Sequence, residues 1–394
     1  MLFLKKIIFR GPKYIFYFFC LIFFNVIGAL AKAFCEKYRD VWIVSERGVD
    51  ARDNAYHFYK YVRENYPKIK CYYIIDKNSA DYDRVAKYGN IVNYRSFKHN
   101  LLFSVSDYKI STHIMGYSPD VLCYTRLQRL GLFGGKIVFL QHGIINSDIE
   151  WMFYPRTRLD LFVSGAEKEC EAIKSRFGYP EGVVKLLGLC RYDALEDESA
   201  NKKQILLMPT WRGSFTDMTK AAEFKATDYF KNYNALINNK TLLEFLQQED
   251  LKLIFYPHYE AQKFLNTFEA DGDRVVLASF EEFDVQTLLK QSKLLITDFS
   301  SVFFDFAYMG KPCVFFQFDE DVYRAENYAK GYFDYISDGF GPVFDSVKDT
   351  VRYITDCAER QFCIEDIYKD RINGFFGIRD RNNCKRNFEA IMNL

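Results

Sequence analysis

The chain has 394 residues, 49% of them hydrophobic, which is enough for two cores and too long for one ordinary domain. Lys and Arg total 53 against 52 Asp and Glu, so no global charge calls for nucleic acid or another polyanion, and any basic site must be local. The ten cysteines are scattered without a CxxC pair, a pattern of reduced thiols in the cytosol and neither a zinc site nor a disulfide framework.

Taken in chain order, residues 14–31, "YIFYFFCLIFFNVIGALA", carry no charge. Lys5, Lys6, Arg10 and Lys13 precede them, and Lys32, Lys37 and Arg39 follow. The expectation is a membrane-associating segment over residues 1–37. It would lie in the inner leaflet against anionic headgroups, peripheral or monotopic at the cytoplasmic face, because a full span would put reduced thiols outside. A buried helix of the first domain is the alternative.

From Val41 strands alternate with helices: "VWIVS", the helix pattern "NAYHFYKYVREN", "CYYIID", "YKIST", "KIVFLQHG", "DLFVSG", a helix over 166–177, and "VVKLLG". "EDESANKKQ", residues 196–204, reads as a linker. The alternation restarts with "ILLMPT", a helix around 228–248, "LKLIFYPH", "RVVLAS", a helix over 284–291, "KLLIT", a helix over 302–309, and "CVFF"; a helical stretch over about 346–392 closes the chain. Such alternation predicts parallel sheets covered by helices. The expected architecture is α/β and GT-B-like: two doubly wound Rossmann-like domains, residues 38–198 and 199–394, facing a cleft. Neither a Walker lysine nor a G-x-G-x-x-G is present.

Ligands of open α/β sheets bind beyond the carboxyl ends of the strands, so the polar residues there are the candidates. "MPTWRG" delivers Thr210 and Arg212, "YPHYE" delivers His258, and "TDFSSVFFDF" places Asp298, Ser300 and Ser301 in a strand-to-helix turn with Asp305 one turn on. Serine hydroxyls and unpaired helix N–H groups suit an anion, and Arg suits phosphate. In the first half, "KIVFLQHGI" puts His142 at a strand end, followed by Gly143, which lets a substrate approach the backbone. Of the five histidines, His57 lies inside a helix pattern, and His99 and His113 have no assigned role; His142 and His258 are expected on opposite sides of the cleft. The "DED" of residues 319–321 reads as an exposed loop, and no essential metal or cofactor is expected.

These residues resemble the CDP-glycerol glycerophosphotransferase family, the primases and polymerases of teichoic acids and related capsule polymers. "SERGVDARDN", "QHGI", "GLCRYDAL", "MPTWRG", "YPHYE" and "GYFDYISDGFGPVF" follow its segments in order, and "TDFSSVFFDFAYMGKP" follows T-D-Y-S-S-x-x-F-D-x-x-x-x-x-K-P most fully. Gln141, Ile144 and Cys190 depart from the pattern, which bears on the acceptor more than on the chemistry. The resemblance implies a transferase that passes glycerol- or ribitol-phosphate from CDP-glycerol or CDP-ribitol to a lipid-linked saccharide or polymer. In it His142 is the base, while Thr210, Arg212, His258, Ser300 and Ser301 hold the pyrophosphate. Asp298, Asp305, Gly143, Arg191 and Asp193 order the loops. A nucleotide-sugar glycosyltransferase of the same fold and a non-catalytic polymer-binding scaffold are the competing readings. Oligomeric state is not readable.

Overall fold

The computed structural model describes residues 2–128, 131 and 133–394, with side chains of the first helix from residue 12 onward. The side chains of Lys5, Lys6 and Arg10 therefore lie outside the described residues. The chain forms two compact units. The first comprises Met1–Ile144, Glu150–Asp193 and Asp380–Leu394; the second comprises Ile145–Ile149 and Ala194–Arg379.

The first unit is a seven-stranded parallel sheet. Its strands are β1 Val41–Ser45, β2 Lys70–Ile75, β3 Ile91–Asn93, β4 Tyr108–Ser111, β5 Lys136–Phe139, β6 Leu161–Ser164 and β7 Val184–Leu186. The spatial order is β3-β2-β1-β4-β5-β6-β7, which reverses direction at β1 and so opens a ligand position at the carboxyl ends of β1 and β4. β1 is buried along its whole length, as an apolar run covered on both faces must be. Helix α1 (Leu2–Phe34) precedes the sheet; α2 (Asn54–Asn65), α3 (Phe97–Val105), α4 (Val121–Gln128) and α5 (Glu167–Arg176) follow within it.

Helix α1 runs against α3 and α4. Leu21 and Phe24 are buried there, and ion pairs anchor the helix at two points, Lys13 to Asp120 at 2.6 Å and Lys32 to Asp107 at 2.5 Å. Among its described side chains an apolar face stays open: Ile15, Phe16, Phe19, Ile22, Phe23, Val26 and Leu30 are all exposed. The helix is long and apolar enough to cross a membrane, and it combines the two expected states, with one face packed and the other bare.

The second unit is a six-stranded parallel sheet of β8 Gln204–Leu207, β9 Lys252–Phe255, β10 Val275–Leu277, β11 Leu295–Thr297, β12 Cys313–Phe316 and β13 Val343–Phe344, ordered β10-β9-β8-β11-β12-β13. Its switch point lies between β8 and β11, whose carboxyl ends carry "PTWR" and "DFSS". A short antiparallel ribbon pairs Ala329–Lys330 with Ser147–Asp148. The segment expected as one helix over 228–248 is two, α6 Asp228–Ile237 and α7 Lys240–Gln248. Asn239 breaks it by accepting from the Leu242 N–H at 3.1 Å as an N-cap.

The closing stretch is likewise three helices: Val347–Glu359, Asp366–Phe376 and Asn383–Met392. The last belongs to the first unit, not to a domain of residues 199–394, and the chain crosses to the second unit after Asp193 rather than after 198. Phe388 of this helix lies 5.9 Å from the Trp42 ring and stacks on Tyr66 at 3.9 Å. Asp193 caps its start by accepting from the N–H groups of Asn383 and Cys384, both at 2.8 Å. Gly188, at φ +77°, lies so close that a Cβ would meet Asn383 Oδ1 at 1.8 Å, so only glycine fits.

The aromatic content, 18% of the chain, goes largely into packing. In the second unit Phe303, Phe304, Phe333, Tyr335, Phe340 and Phe375 form one interlocked group of buried rings. All ten cysteines are free; seven are buried, Cys20 and Cys35 are half-buried, and Cys363 is exposed.

Candidate active site

In the first unit β1 and β5 deliver two loops to the same place. After β1 the chain turns through "ERGVDARD" into α2, and Asp53 is the N-cap, accepting from the Asn54 N–H at 2.7 Å. After β5 the positive φ falls on Gln141 (+65°), not on Gly143. Gln141 is held there by donating to Glu169 at 2.6 Å, while Asn54 Nδ2 donates to the Gln141 carbonyl at 2.7 Å. The next residue, His142, is thereby presented outward, its side chain 68% exposed.

His142 Nδ1 is hydrogen-bonded to Asp53 Oδ2. A carboxylate only accepts, so Nδ1 carries a proton, and in the neutral ring the lone pair is on Nε2. Arg191 closes the arrangement. Its Nη1 donates to Asp53 Oδ1 at 2.7 Å and to the His142 carbonyl, and its backbone N–H donates to Asn54 Oδ1 at 2.9 Å. Burial alone would raise the Asp53 carboxyl. The Arg191 guanidinium and the His142 imidazole outweigh it, and Asp53 is held well below the usual carboxylate range. Below it, burial and the nearby Asp53 and Asp50 carboxylates push Glu46 up to about 8, against the pull of the Arg52 and Asp53 N–H groups that it accepts. The His113 ring lies tilted against that of His142 with centroids 4.7 Å apart; burial, and then the charge of a protonated His142, lower it to about 3, so it is neutral. The sequence set Asp53 within the family-like segment "SERGVDARDN" but gave it no role, because it stands 89 residues before the histidine that it orients, and it gave His113 none.

His99 is structural, and His57 lies half-buried within α2. His99 is fully buried, its Nδ1 accepting from the Arg95 N–H at 2.9 Å and its Nε2 bonded to the Tyr117 carbonyl at 2.9 Å. Burial lowers both to about 4.

In the second unit the polar strand ends meet around one buried carboxylate. Asp298 Oδ1 accepts from the N–H groups of Thr210 at 2.7 Å and Phe299 at 2.6 Å; Oδ2 accepts from Arg212 Nη2 at 2.9 Å and Tyr233 Oη at 3.1 Å. Arg212 differs from expectation. Nε and Nη2 form a bidentate pair with Asp319 at 2.8 and 2.7 Å, and Nη1 donates to the carbonyls of Thr210 and Trp211. Its side chain is 2% exposed, and all of its N–H directions are used inside the protein, so it has no donor to offer a phosphate. It ties the loops together. Asp319 is accordingly a buried partner and not part of an exposed loop.

Ser300 and Ser301 start the helix Val302–Tyr308, and neither hydroxyl has a partner among the described residues. Ser301 takes the N-cap position with helical backbone (φ −67°, ψ −7°) and makes no side-chain cap bond, which leaves its hydroxyl available. Both residues are half-exposed. The Thr210 hydroxyl is buried without a partner. His258 starts the helix Tyr259–Gln262, accepts from the Glu260 N–H at 3.3 Å, and lies against Trp211 with centroids 6.1 Å apart. Asp305 is buried within the Val302–Tyr308 helix.

Residues 29–393 match the family described as CDP-Glycerol:Poly(glycerophosphate) glycerophosphotransferase. The minor teichoic acid biosynthesis protein GgaB of Bacillus subtilis (strain 168) is 36% identical over 366 residues, which is 90% of this chain and 40% of that protein. The teichoic acid poly(glycerol phosphate) polymerase of the same organism is 25% identical over 83% of this chain and 45% of its own length. The chain thus spans less than half of either relative. A solved structure of the wall teichoic acid polymerase TagF superposes with a TM-score of 0.65 at 16% identity, covering 99% of this chain and 98% of that one. At that identity the likeness speaks for the fold, which is α/β and GT-B-like, with two doubly wound units. On these grounds the chain belongs to the CDP-glycerol:poly(glycerophosphate) glycerophosphotransferase family.

Proposed function

We propose that the protein transfers a polyol phosphate, glycerol- or ribitol-phosphate, from its CDP-activated form to a hydroxyl of a lipid-linked acceptor. The observation that carries this reading is the Asp53–His142 pair, an exposed imidazole with its proton fixed on Nδ1. His142 Nε2 takes the proton of the acceptor hydroxyl as the oxygen attacks the polyol-bearing phosphorus; the bond to CMP breaks, and CMP leaves with its electron pair. General-base catalysis of this kind contributes roughly 10²–10⁴-fold. The hydroxyls of Ser300 and Ser301, with His258 and Thr210, bind the donor phosphates on the second unit. Arg212 and Asp298 hold those loops in place without touching the ligand. Arg191 holds Asp53, Asp193 fixes the C-terminal helix, and Gly143 leaves room beside His142. The alternatives of nucleotide-sugar transfer and of a polymer-binding scaffold explain the outward imidazole less economically.

The acceptor reading places the protein at the cytoplasmic face of the membrane. Helix α1 supports an in-plane attachment, since a helix packed along one face and ion-paired at Lys13 and Lys32 offers its bare face sideways to lipid. Lys37 and Arg39 follow it and suit anionic headgroups.

The deciding experiment is CMP release from CDP-glycerol and CDP-ribitol, with UDP-sugars alongside and a lipid-linked acceptor present. Release from a CDP-polyol that His142→Ala abolishes supports the reading. Turnover of a UDP-sugar alone, or CDP-polyol turnover that survives His142→Ala, overturns it.

A further inference from the structure

The second unit holds a partly enclosed cavity of about 570 Å³ at the end of its sheet away from Ser300 and Ser301. Lys293 and Lys311, which line it, stand just before β11 and β12, whereas Ser300 and Ser301 stand just after β11. Its walls also include Asp197, Ser199 and Ala200, soon after the chain enters this unit, and Arg379, the last residue before the chain leaves it.

The cavity's charges do not cancel. Lys311 is spent: its Nζ donates to the carbonyls of Leu289, Lys290 and Ser292, and it pairs with Asp197 at 3.5 Å. That leaves Lys293, Lys369 and Arg379 against one carboxylate, Asp366. The Lys369 ammonium is exposed and has no partner among the described residues. Arg379 is held by the Tyr308 carbonyl at 2.7 Å and by Asn373 at 2.9 Å, which fixes the plane of its guanidinium.

The backbone of the wall points the same way. Gln361 and Phe362 have φ of +54° and +56°, two consecutive residues with side chains in the region that favours glycine. The turn closes the preceding helix, the Phe362 N–H donating to the Cys357 carbonyl at 2.7 Å, and sets the Phe362 ring 6.0 Å from Lys293 Nζ. The lining thus combines apolar Phe362, Ile364 and Ile372 with cationic Lys293, Lys369 and Arg379. The size suits a small organic molecule.

We infer that this cavity is a second binding site, for a small phosphate ester whose phosphate lies among Lys293, Lys369 and Arg379 and whose organic part lies against Phe362 and Ile364. The site is independent of the proposed transfer reaction and of its donor site.

Cys363 gives a local reading, because its exposed thiol lines the cavity. The experiment is alkylation of the full-length protein by iodoacetamide, followed at Cys363 by mass spectrometry, with increasing glycerol 3-phosphate or inorganic phosphate. Potassium chloride at matched ionic strength is the control. Glycerol 3-phosphate is expected to slow alkylation severalfold and saturably, and inorganic phosphate more weakly, because it leaves the apolar lining uncovered. In Lys293→Ala and Lys369→Ala, both at solvent-accessible positions, the protecting concentration should rise about tenfold, as for a lost charge-assisted contact. Ser301→Ala should leave protection unchanged. Absent protection, equal protection by chloride, or protection that survives both lysine variants would each overturn the assignment.

Discussion

Replacing Asp53 by Asn keeps the size of the side chain and removes its charge, and the surrounding hydrogen bonds determine the outcome. The carboxylate accepts three of them, from His142 Nδ1, from Arg191 Nη1 at 2.7 Å and from the Asn54 N–H at 2.7 Å. The amide oxygen of the substituted side chain would keep the last two. Its NH₂ group would then face His142 Nδ1 as a donor, and the ring could answer only by accepting there. The imidazole proton would move to Nε2, the atom that must receive the acceptor's proton. The expected loss in kcat is about 10²–10⁴-fold, the range for a mis-set general base. Affinity for the CDP donor should change little, because the groups proposed to bind it lie on the second unit. Weakening the buried bond to Arg191 should lower stability by about 1.5–3 kcal/mol without unfolding the protein. The assay is CMP release under saturating donor, paired with denaturant unfolding of the same preparation. Because Asp53 acts through His142, the Asp53→Asn/His142→Ala double variant should be no slower than His142→Ala alone. A folded Asp53→Asn protein with near wild-type kcat, or losses that simply multiply in the double variant, would refute the reasoning.

Arg212→Ala should cost about 3–5 kcal/mol in urea unfolding, because it strands two buried carboxylates, Asp298 and Asp319. Ser300→Ala and Ser301→Ala should do the opposite. Each should stay within about 0.5 kcal/mol of wild-type stability while calorimetry with CDP-glycerol shows affinity weakened by about 1–3 kcal/mol. Acid should destabilise the protein. His57, His99 and His113 are held neutral when folded, at about 4, 4 and 3, and take up protons on unfolding. Each removes about 1.4 kcal/mol of stability per pH unit as pH falls below about 6.5, until its folded value is reached. Glu46, raised to about 8, works oppositely between there and its unfolded value and offsets about one histidine, so urea unfolding from pH 6.5 to 4.5 should lose about 2–3 kcal/mol per unit. Phe19→Glu with Phe23→Glu should release the protein from anionic vesicles in flotation while leaving its melting temperature unchanged, because both rings are exposed.

The strands were legible because each is a short apolar run bounded by turns, and the parallel order follows from the helices between them. The strand-end residues were legible for the same reason: topology, not partnership, puts them there. What sequence could not show was which of them face ligand. Arg212 and Ser301 stand at equivalent strand ends, yet one is used up by Asp319, 107 residues later, and the other has a free hydroxyl. Periodicity found the helical pattern at the end of the chain, but an amphipathic stripe does not name the sheet that it covers, and the last helix went to the earlier unit. The break at Asn239 was legible in principle, since Asn is a strong N-cap, but an unbroken run of apolar spacing hid it.

That last helix has a consequence for biosynthesis. The ribosome makes residues 380–394 after the whole second unit, so Trp42, Tyr66 and Cys190 wait with one flank uncovered while that unit is translated. The first unit cannot finish folding as it emerges, and nascent chains stalled anywhere before Asn383 should carry an open hydrophobic seam that attracts chaperones. Any attempt to express the first unit alone must carry these residues along, joined after Asp193.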